Sequence, residues 1–97
     1  MRYEWDSQKD VLNQRKHGLR LKDGIPALED LRGISSPDDR FDYSEERMIT
    51  LGLGKEDVLA VVSVERICSA DGEEIIRIIS VRKAVKHEQE AYYFGRA

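Results

Sequence analysis

Glu74-Ile75-Ile76-Arg77-Ile78-Ile79-Ser80-Val81-Arg82-Lys83-Ala84 is the stretch on which the fold turns. Five of the seven residues from Ile75 to Val81 are Ile or Val, a density that predicts a central strand covered on both faces. Successive side chains of a strand point to opposite faces. Strict alternation puts Ile76, Ile78, Ser80 and Arg82 on one face, with Ile75, Arg77, Ile79, Val81 and Lys83 on the other. A guanidinium in the middle of such a strand needs an anionic partner, since an unpaired buried charge is costly. That partner is a carboxylate of the protein or a phosphate of a ligand. Arg77 and Arg82 reach one phosphate only if the strand is bulged or ends before Arg82. If the strand is regular throughout, one of the two is structural and Arg77 is the functional one.

Outward from this strand, the rest of the chain reads as its support. Ninety-seven residues make a single domain spanning 1–97, with no room for a second core. The net charge of −3 argues against a general nucleic-acid coat, but it conceals an asymmetry. Residues 1–22 hold six Lys/Arg against three Asp/Glu, and residues 23–57 hold four against ten. Segment 77–87 carries Arg77, Arg82, Lys83 and Lys86 with no acid. Local field, not net charge, steers an anionic ligand. One cysteine, Cys68, excludes an internal disulfide and a cysteine-cluster metal site. The charged N-terminus and the lack of a long apolar run predict a cytoplasmic protein with no membrane contact.

Tyr3-Glu4-Trp5 predicts a short strand, followed by a helix from Ser7, with Asp10 three residues on resembling a capping box. The helix runs to His17, where Gly18 supplies a left-handed end and Arg15, Lys16 and His17 complement the dipole. Val11 and Leu12 form its thin apolar stripe. Asp23 predicts the N-cap of a short second helix containing Pro26, with Ile25, Leu28 and Leu31 inward. Residues 33–46 are polar, acidic and turn-rich, which predicts a mobile loop. Strands follow over 48–53, 58–65 and the opening stretch, joined by short turns, and a helix over 85–94 closes the chain. The expected fold is α+β: a small antiparallel sheet in the order β-α-α-β-β-β-α with helices packed on it.

No metal constellation or phosphate-cradling glycine loop is visible, so no metal or cofactor is expected. The residue inventory permits chemistry by cations and a weak acid or base. Arg47, Arg66, Arg77, Arg82 and Lys83 each lie in or beside a strand, and strands are ~4.8 Å apart, so several could meet one phosphate. The alternative is that Glu46, Arg47, Glu65 and Arg66 form cross-strand ion pairs. His87 is either a candidate general acid or base or a solvated residue of a first helical turn. Lys86 and Tyr92 lie on the same helix.

Tyr3-Glu4-Trp5-Asp6, Lys16-His17-Gly18, Asp38 through Arg47 and Arg77 through Ala84 together resemble the BrnT toxin family, in order and spacing over nearly the whole chain. The resemblance implies a RelE-like fold and a type II toxin acting as a ribonuclease that arrests translation. It also implies neutralisation by a ribbon-helix-helix, BrnA-like antitoxin in a hetero-oligomer. The resemblance carries over Arg47, Arg77, Arg82 and Lys83 as candidate phosphate contacts; with His87 from the residue inventory they make the candidate catalytic set, and Arg66, Lys86 and Tyr92 are the candidate RNA contacts. The expected reaction is metal-independent endonucleolytic cleavage. A second reading is a non-enzymatic module whose basic sheet docks an acidic or amphipathic partner segment. One departure concerns the last helix: Val85 stands where the family often has Thr, and valine cannot cap a helix, at a cost of ~1 kcal/mol.

Overall fold

The computed structural model describes residues 1–38 and 46–95. The elements are β1 (Arg2–Glu4), α1 (Ser7–His17), a 3-10 turn (Leu21–Gly24), α2 (Ile25–Leu28), β2 (Ile34–Pro37), β3 (Met48–Leu53), β4 (Val58–Ile67), β5 (Glu74–Lys83) and α3 (Lys86–Phe94). Five strands form one sheet in the order β1-β5-β4-β3-β2. The class is α+β as expected, but the sheet is mixed: β1 runs parallel to β5 and the other pairs are antiparallel.

The added strand is β2, inside the segment expected to be a loop. Ile34-Ser35-Ser36-Pro37 pairs with Leu51 to Met48, and Ser35 Oγ shares a hydrogen bond of 2.8 Å with Thr50 Oγ1. Edge pairing draws on backbone groups, and Pro is tolerated at a strand edge, so the polar sequence concealed it. The rest of the expected loop, residues 39–45, lies outside the described residues.

The parity of β5 differs from strict alternation. Val62 pairs with Ser80 but Ser63 pairs with Ile78, so Ile79 is an extra residue on β5. This bulge reverses the alternation beyond it. Ile78 and Val81, assigned to opposite faces by the sequence, now share one core with Leu59, Val61, Leu21 and Ala27. That helix-covered face also holds Lys83, opposite Leu59. The other face holds Arg77, opposite Val64, and Arg82, opposite Ala60.

Polar anchors, in place of an apolar stripe, fasten α1. Val11 and Leu12 are 48% and 59% exposed, while Asp10 and Asn13 are buried. Asp10 Oδ1 accepts the Leu21 N–H at 2.7 Å, and its Oδ2 meets Arg20 at 2.7 Å. Asn13 Oδ1 accepts the Val81 N–H at 3.0 Å and its Nδ2 donates to the Val81 carbonyl at 2.9 Å, so one amide stands in for a sixth strand along β5. Burial of these groups is tolerated because each is bonded. Asp6, not Ser7, is the N-cap, accepting from the Gln8 and Lys9 N–H groups. Gly18 at φ 72 ends the helix as expected.

Asp23 acts as the acid closing the first turn of the 3-10 segment, accepting the Arg20 N–H at 2.8 Å, and not as the N-cap. The following α2 is short, carries Pro26 in its first turn and buries Ala27, whereas Leu31 is fully exposed. Gly52 permits this close approach, since a Cβ there would stand 2.2 Å from the Ala27 carbonyl oxygen. Tyr3 donates to Glu29 at 3.1 Å, joining β1 to the end of α2. Burial and the Glu29 carboxylate push its hydroxyl up to about 12.

Candidate active site

The bulge sets the geometry of the cationic face. Asp38 N–H donates to the Arg47 carbonyl at 2.8 Å, which carries the β2–β3 ladder one residue past Met48. The same step on the other side of β3, from the Met48–Ser63 pair, puts Arg47 beside Val64. Val64 is itself paired with Arg77. Arg47 and Arg77 therefore flank one valine across three strands, with Cα atoms about 10 Å apart. By register their side chains rise from the same face of the sheet.

Arg77 is half-buried, and among the described residues it forms no hydrogen bond or ion pair. Glu4 is its neighbour in register on β1, but the Glu4 carboxylate pairs with Arg66. Asp6 feels the field of Arg77 only weakly, and its carboxyl is held below the usual range chiefly by the backbone N–H groups that it caps. No carboxylate of the described residues thus meets the guanidinium that the sequence required to be met.

Arg82 is different. Its Nη1 and Nη2 donate to Glu88 Oε1 and Oε2 at 2.7 and 2.9 Å, a bidentate pair with side chains 25% and 13% exposed. Arg82 holds the Glu88 carboxyl below its usual range, against the opposing effect of burial. Glu88 also accepts the Val85 N–H at 2.8 Å, supplying the half of the capping box that does not need the missing threonine. One carboxylate thus fixes both the start of α3 and the arginine of β5. No sequence spacing announced this pair, because β5 and α3 meet around a corner at Ala84-Val85.

The remaining sequence-derived candidates are dispersed. Lys83 lies on the helix-covered face, 3.6 Å from Asp57, and lines a groove of about 480 Å³ with Lys22, Pro26 and Leu59. Arg66 is on the arginine face but is held by Glu4. Lys86 and His87 are exposed in the first turn of α3. The Tyr92 hydroxyl donates to Asp30, whose carboxylate also accepts the Leu53 N–H at 2.8 Å. The Asp30 hydrogen bond raises the Tyr92 pKa above its ordinary value. The structure therefore brings together Arg47 and Arg77, keeps Arg82 on the same face in a separate ion pair, and leaves Lys83 away from them.

The sequence missed a second cationic group. Lys9, Leu12, Asn13, Lys16 and His17 of α1, with Ile79 and Ser80 of β5, line a shallow groove of about 190 Å³. The spacing 9, 13, 16, 17 marks one helix face, a signal that was present but was absorbed by the dipole explanation of Lys16 and His17. Burial lowers the His17 pKa first, with Lys16 and Arg82 adding their fields. Among the described residues, no three His, Cys, Asp or Glu side chains gather as a metal site would need. No helix among them is long and apolar enough to cross a membrane.

No individual curated protein matches the sequence. A family model does match, over residues 5–88, and its description is ribonuclease toxin, BrnT, of type II toxin-antitoxin system. That span begins at Trp5, just after β1, and contains Arg47, Arg66, Arg77, Arg82 and Lys83, the bulge and Glu88. The chain belongs to the BrnT family of ribonuclease toxins of type II toxin-antitoxin systems.

Proposed function

We propose that the chain is an endoribonuclease that needs no metal ion and that Arg77 is its principal phosphate contact. The observation that carries this reading is the state of Arg77: half-buried in a central strand, beside Arg47 across Val64, and without an ion pair among the described residues. A desolvated cation in that position is prepared for charge that arrives with the substrate.

In the reaction, the ribose 2′-oxygen attacks the adjacent phosphorus and the bond to the 5′-oxygen breaks. The products are a 2′,3′-cyclic phosphate and a 5′-hydroxyl end. Arg77 and Arg47 bind the non-bridging oxygens and stabilise the phosphorane as its charge grows, while Arg82, neutralised by Glu88, fixes the start of α3. One proton leaves the 2′-hydroxyl and one reaches the 5′-oxygen. His87 is the candidate side chain best suited to carry them, being an exposed imidazole beside Glu88. Tyr92 is less suited, since its hydroxyl is committed to Asp30. Lys83 is less suited because it stands on the opposite face.

Cleavage of messenger RNA by this route arrests translation. A ribbon-helix-helix, BrnA-like antitoxin neutralises the toxin by covering the arginine face in a hetero-oligomer. The same cations that attract phosphate attract an acidic antitoxin segment, so inhibition and substrate binding compete.

The test is incubation of purified protein with RNA in EDTA, with mass spectrometry of the new ends. Cyclic phosphate and 5′-hydroxyl ends are expected, with activity lost in an Arg77→Ala plus Arg82→Ala variant that remains folded. Cleavage that requires added magnesium, or that persists in the double variant, would overturn the mechanism.

A further inference from the structure

The groove between α1 and β5 carries cations that the site above does not use. Asn13 fastens α1 to Val81 by two backbone-directed hydrogen bonds, so Lys9, Lys16 and His17 are held at fixed places beside the bulge. The groove adjoins the arginines through β5, where its lining residues Ile79 and Ser80 lie between Arg77 and Arg82. The residues lining the groove include no acid, and Leu12 and Ile79 add apolar surface to it. Asp6, the nearest acid, is committed to the Gln8 and Lys9 N–H groups. Lys9 and Lys16 are about 10 Å apart along the helix axis, too far to share one phosphate oxygen but suited to successive phosphates.

We infer that the α1–β5 groove is an accessory subsite for single-stranded RNA, in which Lys9 and Lys16 bind phosphates flanking the one held by Arg77. A base lies against Leu12 and Ile79, and the Ser80 hydroxyl and a His17 N–H serve as hydrogen-bond donors. The subsite rests on the reading of Arg77 as the phosphate contact, and it assigns the substrate a path: across β5 at the bulge and along α1. A groove lined by cations and two apolar side chains fits a strand whose bases are unstacked and whose backbone follows cations. Because α1 presents no glycine-rich loop or helix N-terminus to the groove, binding is by side chains and tolerant of sequence.

The experiment uses the whole protein and a fully 2′-O-methylated, fluorescein-labelled single-stranded RNA, which lacks the attacking hydroxyl. Fluorescence anisotropy is followed over a salt titration for the wild type, Lys9→Ala plus Lys16→Ala, Arg77→Ala, and a charge-matched Arg15→Ala plus Lys55→Ala control. Both groove lysines are exposed, so the variants fold, and thermal melts verify it. The groove variant is expected to bind about tenfold more weakly, with a slope of log affinity against log salt reduced by about 1.4, two single-strand phosphate contacts. The control is expected to lose less than half of either effect. Equal losses in the groove variant and the control would overturn the subsite, leaving only net charge. Normal binding by the groove variant, with weak binding by Arg77→Ala, would overturn the subsite and leave the arginine site standing. Normal RNA binding with weaker capture by an antitoxin would overturn it also, and give the groove to the protein partner. Weaker RNA binding by the groove variant, even where unmodified RNA is not cleaved, would sustain the subsite and remove the cleavage mechanism alone.

Discussion

Arg77 and Arg82 are the same residue on the same strand and, through the bulge at Ile79, on the same face. Their surroundings differ. Arg82 is locked by both oxygens of Glu88 and helps to hold α3, whereas Arg77 stands beside a glutamate that belongs to Arg66. The difference separates two uses of a half-buried cation. One is satisfied within the fold and contributes to it; the other has no ion pair among the described residues, and under the proposed function it is kept for a ligand at some expense in stability.

The comparison is tested first, and most severely, by Arg77→Ala. Cleavage of RNA by this variant is expected to fall ~100- to 1,000-fold in kcat, or about 2.7–4 kcal/mol. The melting temperature is expected to hold or rise, because no internal partner is orphaned. A drop in stability with activity retained would reverse the roles assigned to the two arginines.

Glu88→Ala comes next. It removes the bidentate partner of Arg82 and the acceptor of the Val85 N–H, and urea denaturation is expected to register a loss of about 2 kcal/mol. A double-mutant cycle with Arg82→Ala should return a coupling of about 1–3 kcal/mol. Additive single effects would show that the bidentate pair is incidental to the fold.

A milder change sharpens the reading of Arg77. Arg77→Lys keeps the charge but loses the planar fork, so a roughly tenfold loss in kcat/KM is expected, one charge-assisted hydrogen bond. Full activity would mean that charge alone suffices there.

The smallest effect is in acid. Glu88 has its folded pKa lowered from 4.5, first by Arg82, so its stabilising contribution is complete above that unfolded value. It is lost as pH falls through the lower folded value. Unfolding curves from neutral pH downward should therefore show a loss below about 4.5 that Glu88→Gln reduces. Asp6 and Asp10 shift in the same direction and leave a residual slope in that variant.

The legible part of the molecule was local. β-branched density marked β5 and the strands before it, Gly18 marked the end of α1, and Pro26 the start of a short α2; each depends on backbone preferences of a few adjacent residues. The family, too, was carried by short motifs and their spacing. Arg47, Arg77 and Arg82 could be named as candidates because cations set into apolar strands are conspicuous in a sequence.

Pairing between distant segments was not legible, and it decided the site. The β2 strand draws on backbone hydrogen bonds that any side chain can accompany, which is why Ser35-Ser36-Pro37 looked like a loop. The parallel contact of β1 with β5 joins residues about seventy apart in sequence. Asp10 and Asn13 looked like solvated helix positions until the Leu21 and Val81 backbones arrived to satisfy them. By itself, the sequence determined that β5 carries arginines needing an anion. Whether those arginines face the same way was decided by one extra residue, Ile79, because a single inserted residue reverses the two-residue period of everything beyond it.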